Sequence, residues 1–430
     1  MTEREQALDI LLSVDDGAFA TPLLDALQGE TRDVNFIRTL VLGVLRWQLR
    51  LDYVIEQLAA RRVARIDRMP MQLLRMGIYQ LMFMEVPTYA AVSETVTLTG
   101  QSAARAKGFV NAVLRKATAS DLHAMLPPDS GDELARLPVE FAHPKWLVER
   151  WVSSFGVSRT KAILASNQSF SHPDLLVNER RLSIEAAEEI LTAKQISFER
   201  SSITPGVLRI EAGTSKLREE IAAGLFYPMD EASVLVATLV DVHHGRVLDL
   251  AAAPGGKSLV MALRGGNVTS NDISPQRLYR LRRLLPRFVD GQPSLVVSDA
   301  RAAAFRRGAF HSVLLDAPCS ATGTIRKSPE IKWRLTREAI EAFGLLQREM
   351  ITEALKLDPE VCIYSTCSLE PEENDGVIDH ALASTAHYRL DDAGEVATRE
   401  AHRWIRDGIL RITPESGTDG FTAFVLRRTS

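Results

Sequence analysis

The stretch LDLAAAPGGKS, Leu248 to Ser258, decides how the C-terminal half of the chain is interpreted. A short apolar run ends in an acid and is followed at once by small residues and a glycine pair. In open α/β sheets, such a turn at the carboxyl end of a strand lets a nucleotide-like ligand approach the backbone. The loop is one residue away from a Walker A motif, which would need glycine in place of Ala251. Asp316, which follows VLL, resembles a Walker B acid, so a P-loop ATPase is an alternative for this segment.

Short apolar runs that each end in a polar residue repeat after this loop. They are RVLDL, NVTSND, SLVVSD, SVLLD and VCIYST, and helical stretches separate them. This rhythm predicts a mostly parallel sheet with helices on both faces over residues 226–430. Ser274 and Pro275 predict the start of one helix, as N-cap and first helical residue. The stretch RITPESGTDGFTAFVLRR predicts a late hairpin with its turn at Asp419-Gly420.

The remainder of the chain predicts two further domains. A chain of 430 residues exceeds the roughly 250–300 residues at which a single core stops growing. Residues 1–125 carry apolar residues at helical spacing, residues 125–140 read as a linker, and residues 140–225 mix helices with short strands. No apolar run approaches the ~20 residues of a membrane span. The acidic N-terminus MTEREQALDILLSV does not resemble a secretory signal, so we expect a cytoplasmic protein without membrane contact.

Acids at the ends of successive strands favour an adenosine site over a P-loop. Asp272 follows Asp249 at close to the ~20-residue offset at which an acid meets ribose hydroxyls. Asp299 ends the third predicted strand, where its carboxylate can accept a hydrogen bond from an adenine amino group. Single strand-terminal acids are often helix caps, but three in succession fit an adenosine-binding edge better.

Two of the three cysteines follow predicted strands at the same sheet edge. Cys319 lies in DAPCSATGTIRKSPEIKW and Cys367 in IYSTCSLEPEEND, whereas Cys362 lies inside an apolar run and is expected to fill the core. A sparse, odd set of cysteines predicts neither a disulfide framework nor a zinc site, and we expect no metal. Two cysteines beside a nucleotide-binding loop suit one kind of base chemistry: a cysteine thiolate that adds to carbon 6 of cytosine makes carbon 5 nucleophilic. Asp316, if protonated, would donate to ring nitrogen 3.

With these motifs the chain resembles the RNA cytosine-5 methyltransferases, most closely the RsmB-type (Sun or Fmu) enzymes of bacterial 16S ribosomal RNA. AAPGGK, DISPQRL, the two cysteine motifs and GTDGF match family motifs. In the N-terminal part, LVLGVLRWQLRLD, LLRMGIYQL and KGFVNAVLR resemble a NusB-like domain, particularly at Trp47, Gly77 and Asn111. The implied fold is an all-α NusB-like domain (1–125), a small α/β RNA-handling segment (140–225) and a Rossmann-like class I methyltransferase domain (226–430).

The resemblance also implies the cofactor and the site residues. The cofactor is S-adenosylmethionine and the partner is RNA, with the enzyme expected to be a monomer. Cys367 is the implied nucleophile, Cys319 assists release of the methylated RNA, and Lys257 lies near the target base with Asp316. The implied cofactor contacts are Ala251, Ala252, Ala253, Pro254, Gly255, Gly256, Lys257, Asp272, Arg277, Asp299 and Asp316.

The chain departs from the family pattern at four places. Ala251 stands where cysteine is usual, Met229 where glutamine is usual and Leu176 where arginine is common, and KLDPEV replaces the customary Lys-Pro-Gly-Gly turn. These departures affect RNA-contact details more than the chemistry.

Two alternatives remain from other classes: a P-loop ATPase, and a non-catalytic RNA-binding module of the antitermination type that the NusB-like helices suggest. A DNA cytosine-5 methyltransferase would lack the second Thr-Cys motif. Although the net charge is −4, Lys and Arg outnumber acids in residues 61–116 and 301–337. Phosphate contacts are therefore predicted, notably for a basic run at 326–337. Its members are Arg326, Lys327, Lys332, Arg334 and Arg337.

Overall fold

A computed structural model describes residues 1–27, 33–100, 103–128, 131–211 and 213–429. The chain forms two compact units, and each unit is built from two separate segments of the sequence. The first comprises Met1–Ser169 with Ile325–Arg334, and the second comprises Phe170–Thr324 with Leu335–Ser430. Over the described ranges, every helix is either too short or too polar to cross a bilayer.

The first unit is built from helices, as its sequence pattern predicts. Thr2 and Glu5 form a capping box that starts the first helix, and Asp33 caps the long third helix by accepting a hydrogen bond from the Phe36 amide. The described helices are α1 (Glu3–Asp15), α2 (Ala20–Ala26), α3 (Val34–Ala59), α4 (Arg68–Phe83), α5 (Thr88–Thr97), α6 (Lys107–Thr118), α7 (Glu133–Glu140) and α8 (Lys145–Gln168). The apolar faces of α1 to α6 share one core, in which the rings of Trp47 and Phe83 stack with centroids 4.8 Å apart.

The predicted linker over residues 125–140 is wrong in its second half, because α7 lies there. The Asp132 carboxylate accepts hydrogen bonds from the amides of Leu134 and Ala135, at 3.0 and 3.3 Å, and starts the helix. Leu137 and Pro138 are buried. The N-cap and the buried apolar side chains therefore outweigh a composition rich in proline and acid.

The second unit begins with a small antiparallel sheet. Its strands are β1 (Asp174–Val177), β2 (Phe198–Arg200), β3 (Val207–Ile210) and β4 (Phe226–Pro228), in the order β2-β3-β1-β4. Helices α9 (Ile184–Ala193) and α10 (Arg218–Ala222) belong to the same segment. Leu176, the position at which the family commonly has arginine, is buried in β1.

The large sheet has nine described strands and carries the motif-bearing loops. They are β5 (Arg246–Asp249), β6 (Asn267–Asp272), β7 (Ser294–Val297), β8 (Ser312–Asp316), β9 (Val361–Thr366), β10 (Tyr388–Asp391), β11 (Ile405–Arg406), β12 (Ile409–Ile412) and β13 (Phe421–Arg428). Strands β5 to β9 are parallel and lie in the order β7-β6-β5-β8-β9, with β13 antiparallel beside β9. Strands β6 and β7 lie on one side of β5, and β8 and β9 lie on the other, so the strand order switches sides at β5. In such sheets, ligands bind in the crevice beyond the carboxyl end of the strand at this switch point.

The helices after the small sheet confirm the predicted start at Ser274, whose hydroxyl accepts a hydrogen bond from the Arg277 amide while Pro275 is the first helical residue. They are α11 (Glu231–Thr238), α12 (Gly256–Leu263), α13 (Pro275–Leu284), α14 (Ile331–Arg334), α15 (Arg337–Lys356) and α16 (Asp375–Ser384). The C-terminal hairpin is also confirmed: β12 pairs antiparallel with β13, and Asp419-Gly420 immediately precedes β13.

The basic run after Cys319 packs into the helical unit, where it does not have the predicted role. The Lys332 side chain is fully buried and donates to the carbonyl of Arg46 in α3 at 2.8 Å. Trp333 donates its indole N–H to the carbonyl of Leu45 at 2.6 Å. Burial lowers the pKa of Lys332 well below its usual range.

Arg326 and Arg334 of the same run also make hydrogen bonds within the first unit. Arg326 is buried, and its carbonyl accepts a hydrogen bond from the Arg46 guanidinium at 2.9 Å. Arg334 donates to the carbonyl of Val14 at 2.9 Å. The predicted phosphate contacts of Arg326, Lys332 and Arg334 are therefore wrong, because Arg326 and Lys332 are buried and the side chains of Lys332 and Arg334 donate to backbone carbonyls of the same unit. Phosphate contact by Lys327 and Arg337 stays a prediction.

Candidate active site

The carboxyl ends of β5, β8 and β9 bring the chemically active side chains to one edge of the large sheet. Asp249 is the last residue of β5 and Asp316 the last residue of β8, while Cys367 directly follows β9. Because β5, β8 and β9 are adjacent and parallel, residues that are far apart in sequence meet at this edge.

A cavity of about 180 Å³ opens at this edge, and seven predicted site residues line it. These are Ala251, Ala252, Ala253, Pro254, Gly256, Lys257 and Asp316. Five further lining residues were not predicted as site residues: Tyr227, Pro228, Met229, Ser233 and Asp249. The departure from the family pattern at Met229 was a signal for this wall, and the position of Asp249 at a strand end was another.

Glycine is required at one point of the cofactor loop. Gly255 has a φ of 113°, which L-residues with side chains rarely adopt, and a Cβ there would lie 2.2 Å from Leu281 Cδ1. The turn thus packs tightly against α13 before α12 begins at Gly256. This close packing gives the loop its fixed shape beside the cavity.

Asp272 is held in place by the backbone of two neighbouring segments. One of its carboxylate oxygens accepts from the Ala253 amide at 3.2 Å, and the other accepts from the Ser274 amide at 2.8 Å. The residue is only 5% exposed. Each oxygen of an ionised carboxylate accepts more than one hydrogen bond, so Asp272 keeps acceptor capacity for a ligand.

Among the acids of the cleft, Asp249 has the pKa that departs most from its usual value. It is 1% exposed, and its Oδ2 accepts a hydrogen bond from the Ser258 hydroxyl at 2.6 Å. Its Oδ1 is buried and has no hydrogen-bond partner among the described residues. Burial raises the pKa of Asp249 to about 7. A buried acceptor of this kind at a cavity wall suits a ligand that brings a positive charge.

Lys257 and Asp316 form an ion pair at the other wall of the cavity. Lys257 Nζ donates to Asp316 Oδ2 at 2.7 Å and lies 4.8 Å from the centre of the Phe421 ring. The second oxygen of Asp316 accepts from the Ser365 hydroxyl at 2.8 Å. Both oxygens of Asp316 therefore act as acceptors, the pattern of an ionised carboxylate. Lys257 is the donor within this pair, and donation by a protonated Asp316 to a bound base stays a prediction.

The two motif cysteines are neighbours across the ends of β8 and β9. The Sγ atoms of Cys319 and Cys367 are 3.2 Å apart, and both are free thiols of intermediate burial. The hydrogen bond with Cys367, followed by burial, raises the pKa of Cys319 well above its usual range. Cys362 is fully buried within β9, and burial raises its pKa to about 12. The prediction that Cys362 fills the core is thus confirmed.

A buried glutamate, Glu373, joins the loops of the two cysteines. Its carboxylate accepts from the Ser320 amide at 2.8 Å, from the Ser368 hydroxyl at 2.7 Å and from the Gln347 amide group at 3.0 Å. The Ser320 hydroxyl also donates to it. Burial raises the pKa of Glu373. The motif STCSLEPEEND contains this glutamate, but only the tertiary contacts reveal what it holds.

A glycine completes the junction between these loops. The Gly323 amide donates to the Cys367 carbonyl at 2.9 Å, and its own carbonyl accepts from the Gly420 amide at 2.8 Å. A Cβ at Gly323 would lie 2.4 Å from the Gly420 carbonyl oxygen, so a side chain cannot be accommodated. The motif GTDGF therefore packs directly against the loops that carry the two motif cysteines.

The other predicted cofactor contacts, Arg277 and Asp299, do not line the cavity. Asp299 pairs with the Arg301 guanidinium at 2.7 Å, and this hydrogen bonding lowers its pKa. Arg277 is exposed in the first turn of α13. Their contacts with a bound cofactor stay predictions.

The chain matches three family models in succession. The NusB family matches residues 1–119, a ferredoxin-like domain of RsmF/B-like methyltransferases matches residues 143–215, and 16S rRNA methyltransferase RsmB/F matches residues 236–427. The chain is 36% identical over 409 residues to ribosomal RNA small subunit methyltransferase B of Pseudomonas putida, with 91% of this chain and 90% of that protein covered. The chain belongs to the ribosomal RNA small subunit methyltransferase B family.

Further relatives agree with this membership. The chain is 32% identical over 399 residues to ribosomal RNA small subunit methyltransferase B of Yersinia pseudotuberculosis, which covers 89% of this chain and 90% of that protein. The crystal structure of PH0851 superposes with a TM-score of 0.81 at 22% identity, over 99% of both chains. NSun6 from Pyrococcus horikoshii superposes with a TM-score of 0.58 at 21% identity, over 67% of this chain and 98% of that one. These two structures share the fold.

Family membership confirms the predicted resemblance, the predicted fold class and the predicted cofactor. The protein is an S-adenosylmethionine-dependent ribosomal RNA methyltransferase, with a NusB-like helical domain, a ferredoxin-like middle domain and a class I methyltransferase domain. Both alternatives, a P-loop ATPase and a non-catalytic RNA-binding module, are thereby excluded. The cleft fits the cofactor, because Asp249 lines the cavity and its Oδ1 has no hydrogen-bond partner among the described residues, so this acid would suit the cationic α-amino group.

Proposed function

We propose that this protein methylates carbon 5 of a cytosine in 16S ribosomal RNA, with Cys367 as the nucleophile. The observation that carries the proposal is the pair of free thiols, whose sulfur atoms lie 3.2 Å apart at the strand ends that border the cleft. Carbon 5 of cytosine does not attack a methyl donor unaided, and a thiolate that adds to carbon 6 activates it. Two adjacent thiols suit a reaction in which one sulfur bonds to the base and the other assists a later step.

The raised pKa of Cys319 supports the assignment of roles to the two thiols. The hydrogen bond with Cys367 and burial raise the pKa of Cys319 well above its usual range. A thiol with a raised pKa is a poorer source of the thiolate nucleophile, so in this proposal Cys319 takes the later step. This leaves Cys367 as the sulfur that attacks carbon 6.

The proposed reaction proceeds by addition and elimination. The Cys367 thiolate bonds to carbon 6, and the electron pair of the carbon 5–carbon 6 double bond becomes available at carbon 5. S-adenosylmethionine, when bound, supplies an electrophilic methyl group. Carbon 5 takes that methyl group, and its proton is then removed while the bond between carbon 6 and sulfur breaks. The products are 5-methylcytosine, a free Cys367 thiolate and S-adenosylhomocysteine, which is left when the bond between the methyl group and the sulfonium sulfur breaks.

Cys319 is suited to the second half of this sequence. The hydrogen bond with Cys367 is the largest cause of its raised pKa, and bonding of the Cys367 sulfur to carbon 6 removes that cause. In this proposal the Cys319 sulfur, once deprotonated, accepts the proton of carbon 5. Glu373 positions both cysteines for this exchange, since it binds the residues that follow each of them.

Lys257 is the proposed donor toward the ring of the target base. Its ammonium group lines the cavity and is oriented by Asp316 at 2.7 Å. Addition of a thiolate to carbon 6 places negative charge on the ring at nitrogen 3, and an ammonium group there stabilises it electrostatically. Asp316 holds Lys257 in position in this proposal.

The remaining predictions about partners belong to the same proposal. The 16S target rests on the family model and on the names of the relatives. The cytoplasmic location, the monomeric state and the independence from a catalytic metal follow from the sequence-based expectations. RNA would reach the cleft with its target cytosine turned out of any stack, as is general for enzymes that act on bases.

The function is tested with small-subunit ribosomal RNA and S-adenosylmethionine labelled in the methyl group. The wild-type protein should transfer the label, and digestion to nucleosides should place all of it in 5-methylcytidine. Label in any other nucleoside would refute cytosine-5 specificity. Transfer to large-subunit RNA at an equal rate would refute the 16S target.

The two cysteines are tested by denaturing gels of the protein with labelled RNA. Cys319→Ala should accumulate a covalent adduct that resists SDS, because addition and methylation proceed while elimination is slow. Cys367→Ala and the double variant should give neither adduct nor product, and Cys362→Ala is the matched control that should turn over normally. An adduct with Cys367→Ala but not with Cys319→Ala would invert the assigned roles.

A further inference from the structure

Away from the cleft, two histidines and an aspartate gather at the opposite ends of the same strands. Asp241 and His244 precede β5, and His311 directly precedes β8. One carboxylate oxygen and one nitrogen from each imidazole all lie within 4.8 Å of one another. The cofactor loop and the cysteines follow the carboxyl ends of these strands, so this cluster lies outside the methyl-transfer site.

The distances in the cluster match those that a small divalent ion requires. Asp241 Oδ2 lies 2.6 Å from His244 Nδ1 and 3.6 Å from His311 Nε2. Zinc binds imidazole nitrogen and carboxylate oxygen at about 2.0–2.2 Å, which places tetrahedral ligands roughly 3.3 Å apart. The two observed distances bracket that value, so side-chain rotations suffice to centre an ion.

The backbone holds the aspartate in an orientation suited to this role. Its other oxygen, Oδ1, accepts a hydrogen bond from the His243 amide at 2.9 Å, which turns Oδ2 toward both imidazoles. The Ser312 hydroxyl donates to the Asp241 carbonyl at 2.8 Å and ties the segment before β5 to the start of β8. Fixed outer contacts of this kind orient metal ligands.

The nearby cations are engaged elsewhere. Arg264 donates to the carbonyls of Ala237 and Val240, at 3.2 and 2.8 Å. Arg246 lies over the ring of Phe310, with its guanidinium carbon 4.9 Å from the ring centre. Neither arginine forms an ion pair with Asp241 among the described residues, so its carboxylate charge is directed at the two histidines.

We propose that Asp241, His244 and His311 bind one divalent transition-metal ion of the zinc class, with a fourth position open to solvent. Two imidazoles and one carboxylate are ligands that zinc accepts. The ion would fasten the start of β5 to the start of β8, the two strands that carry the cofactor loop and the first cysteine. Its role is thus structural, and it is independent of the proposed chemistry at Cys367.

The test uses the untagged, full-length protein in a Cys319→Ala/Cys367→Ala background, because the thiol pair is itself capable of binding zinc. Zinc is titrated calorimetrically, and cobalt is used as a spectroscopic probe of the ligand set. The background protein should bind one equivalent of zinc, and its melting temperature should rise with zinc concentration by mass action. Cobalt should give visible d–d bands without a thiolate charge-transfer band.

Three variants and a neighbouring control decide the outcome. His244→Ala and His311→Ala should each weaken zinc binding by at least about tenfold, the smallest loss typical even of outer-shell partners. Asp241→Asn should do the same. His243→Ala is the matched control, since it keeps the backbone amide that binds Asp241, and it should bind zinc normally. The melting temperatures without metal establish that each variant is folded.

Absence of zinc binding in the background protein would overturn the proposal. So would zinc affinity that is unchanged by both histidine substitutions, or that falls equally in His243→Ala. Methyl transfer by the wild-type protein does not enter these measurements, so this site and the proposed function fail or succeed separately.

Discussion

The buried acid at the end of β5 predicts that cofactor binding depends on pH. Burial raises the pKa of Asp249 to about 7, and its Oδ1 has no hydrogen-bond partner among the described residues. The cationic α-amino group of S-adenosylmethionine should bind more tightly to the ionised form of Asp249 than to its protonated form. Between pH 5 and 7 the cofactor amine stays protonated, so Asp249 is the group whose titration governs this interaction.

The magnitude follows from the fraction of Asp249 that is ionised. With a pKa of about 7, that fraction is about one half at pH 7, about a tenth at pH 6 and about a hundredth at pH 5. The apparent dissociation constant is the intrinsic one divided by this fraction, so it should rise about fivefold from pH 7 to pH 6 and about tenfold from pH 6 to pH 5. Asp249→Asn should bind more weakly at pH 7 by about tenfold or more, since a charged hydrogen bond contributes ~1.5–3 kcal/mol.

Titration calorimetry of the full-length protein at pH 5, 6 and 7 measures both effects. Repeating each titration in buffers of different ionisation enthalpy gives the number of protons released on binding. The wild-type protein should release nearly one proton at pH 5 and 6, and Asp249→Asn should release fewer and show a flatter profile. A flat profile in the wild-type protein, or the same slope in the variant, would refute the role of Asp249.

Two other substitutions, the thermal stability of Asp249→Asn and a deletion test the remaining parts of the structure. Asp272→Ala should weaken S-adenosylmethionine binding by about tenfold or more, in line with loss of a charged acceptor, and leave RNA affinity unchanged; equal cofactor affinity in calorimetry would remove Asp272 from the site. Glu373→Gln replaces charged hydrogen bonds by neutral ones at a cost of about 2 kcal/mol, so the turnover number should fall while the cofactor dissociation constant does not, and full turnover would show that this glutamate does not position the cysteines. Asp249→Asn without cofactor should melt at a higher temperature than the wild type at pH 8. A raised carboxyl pKa stabilises the fold below about pH 4, and this contribution is lost as the pH rises to about 7. A lower melting temperature of the variant would contradict the burial argument. Deletion of residues 1–120 removes the backbone carbonyls that hold Lys332 and Trp333, so trypsin should cleave the basic run while RNA binding weakens and its salt dependence flattens; an identical salt slope would mean that the helices contact no phosphates.

The local features of the fold could be predicted from the sequence because each is encoded within a few neighbouring residues. The strands that precede Asp249, Asp316 and Cys367 are short apolar runs with a polar end, and the helix cap at Ser274 needs only Ser-Pro. Parallel strands in turn place their carboxyl ends at one edge, so the predicted loop and both cysteines meet there. Family motifs in the same segments then indicated the chemistry.

Burial and pairing depend on residues that are distant in sequence, so only the tertiary structure decided them. Lys332 looks like a phosphate ligand in a basic run, but its side chain donates a hydrogen bond to a helix carbonyl more than 280 positions away. Asp249 looked like one of three equivalent acids, yet complete burial separates its pKa from that of Asp299, which an arginine holds low. Glu373 gave no local signal at all. The sequence gives the type of a charged residue, but its role depends on its solvent exposure and its partners. The fold alone determines both of these.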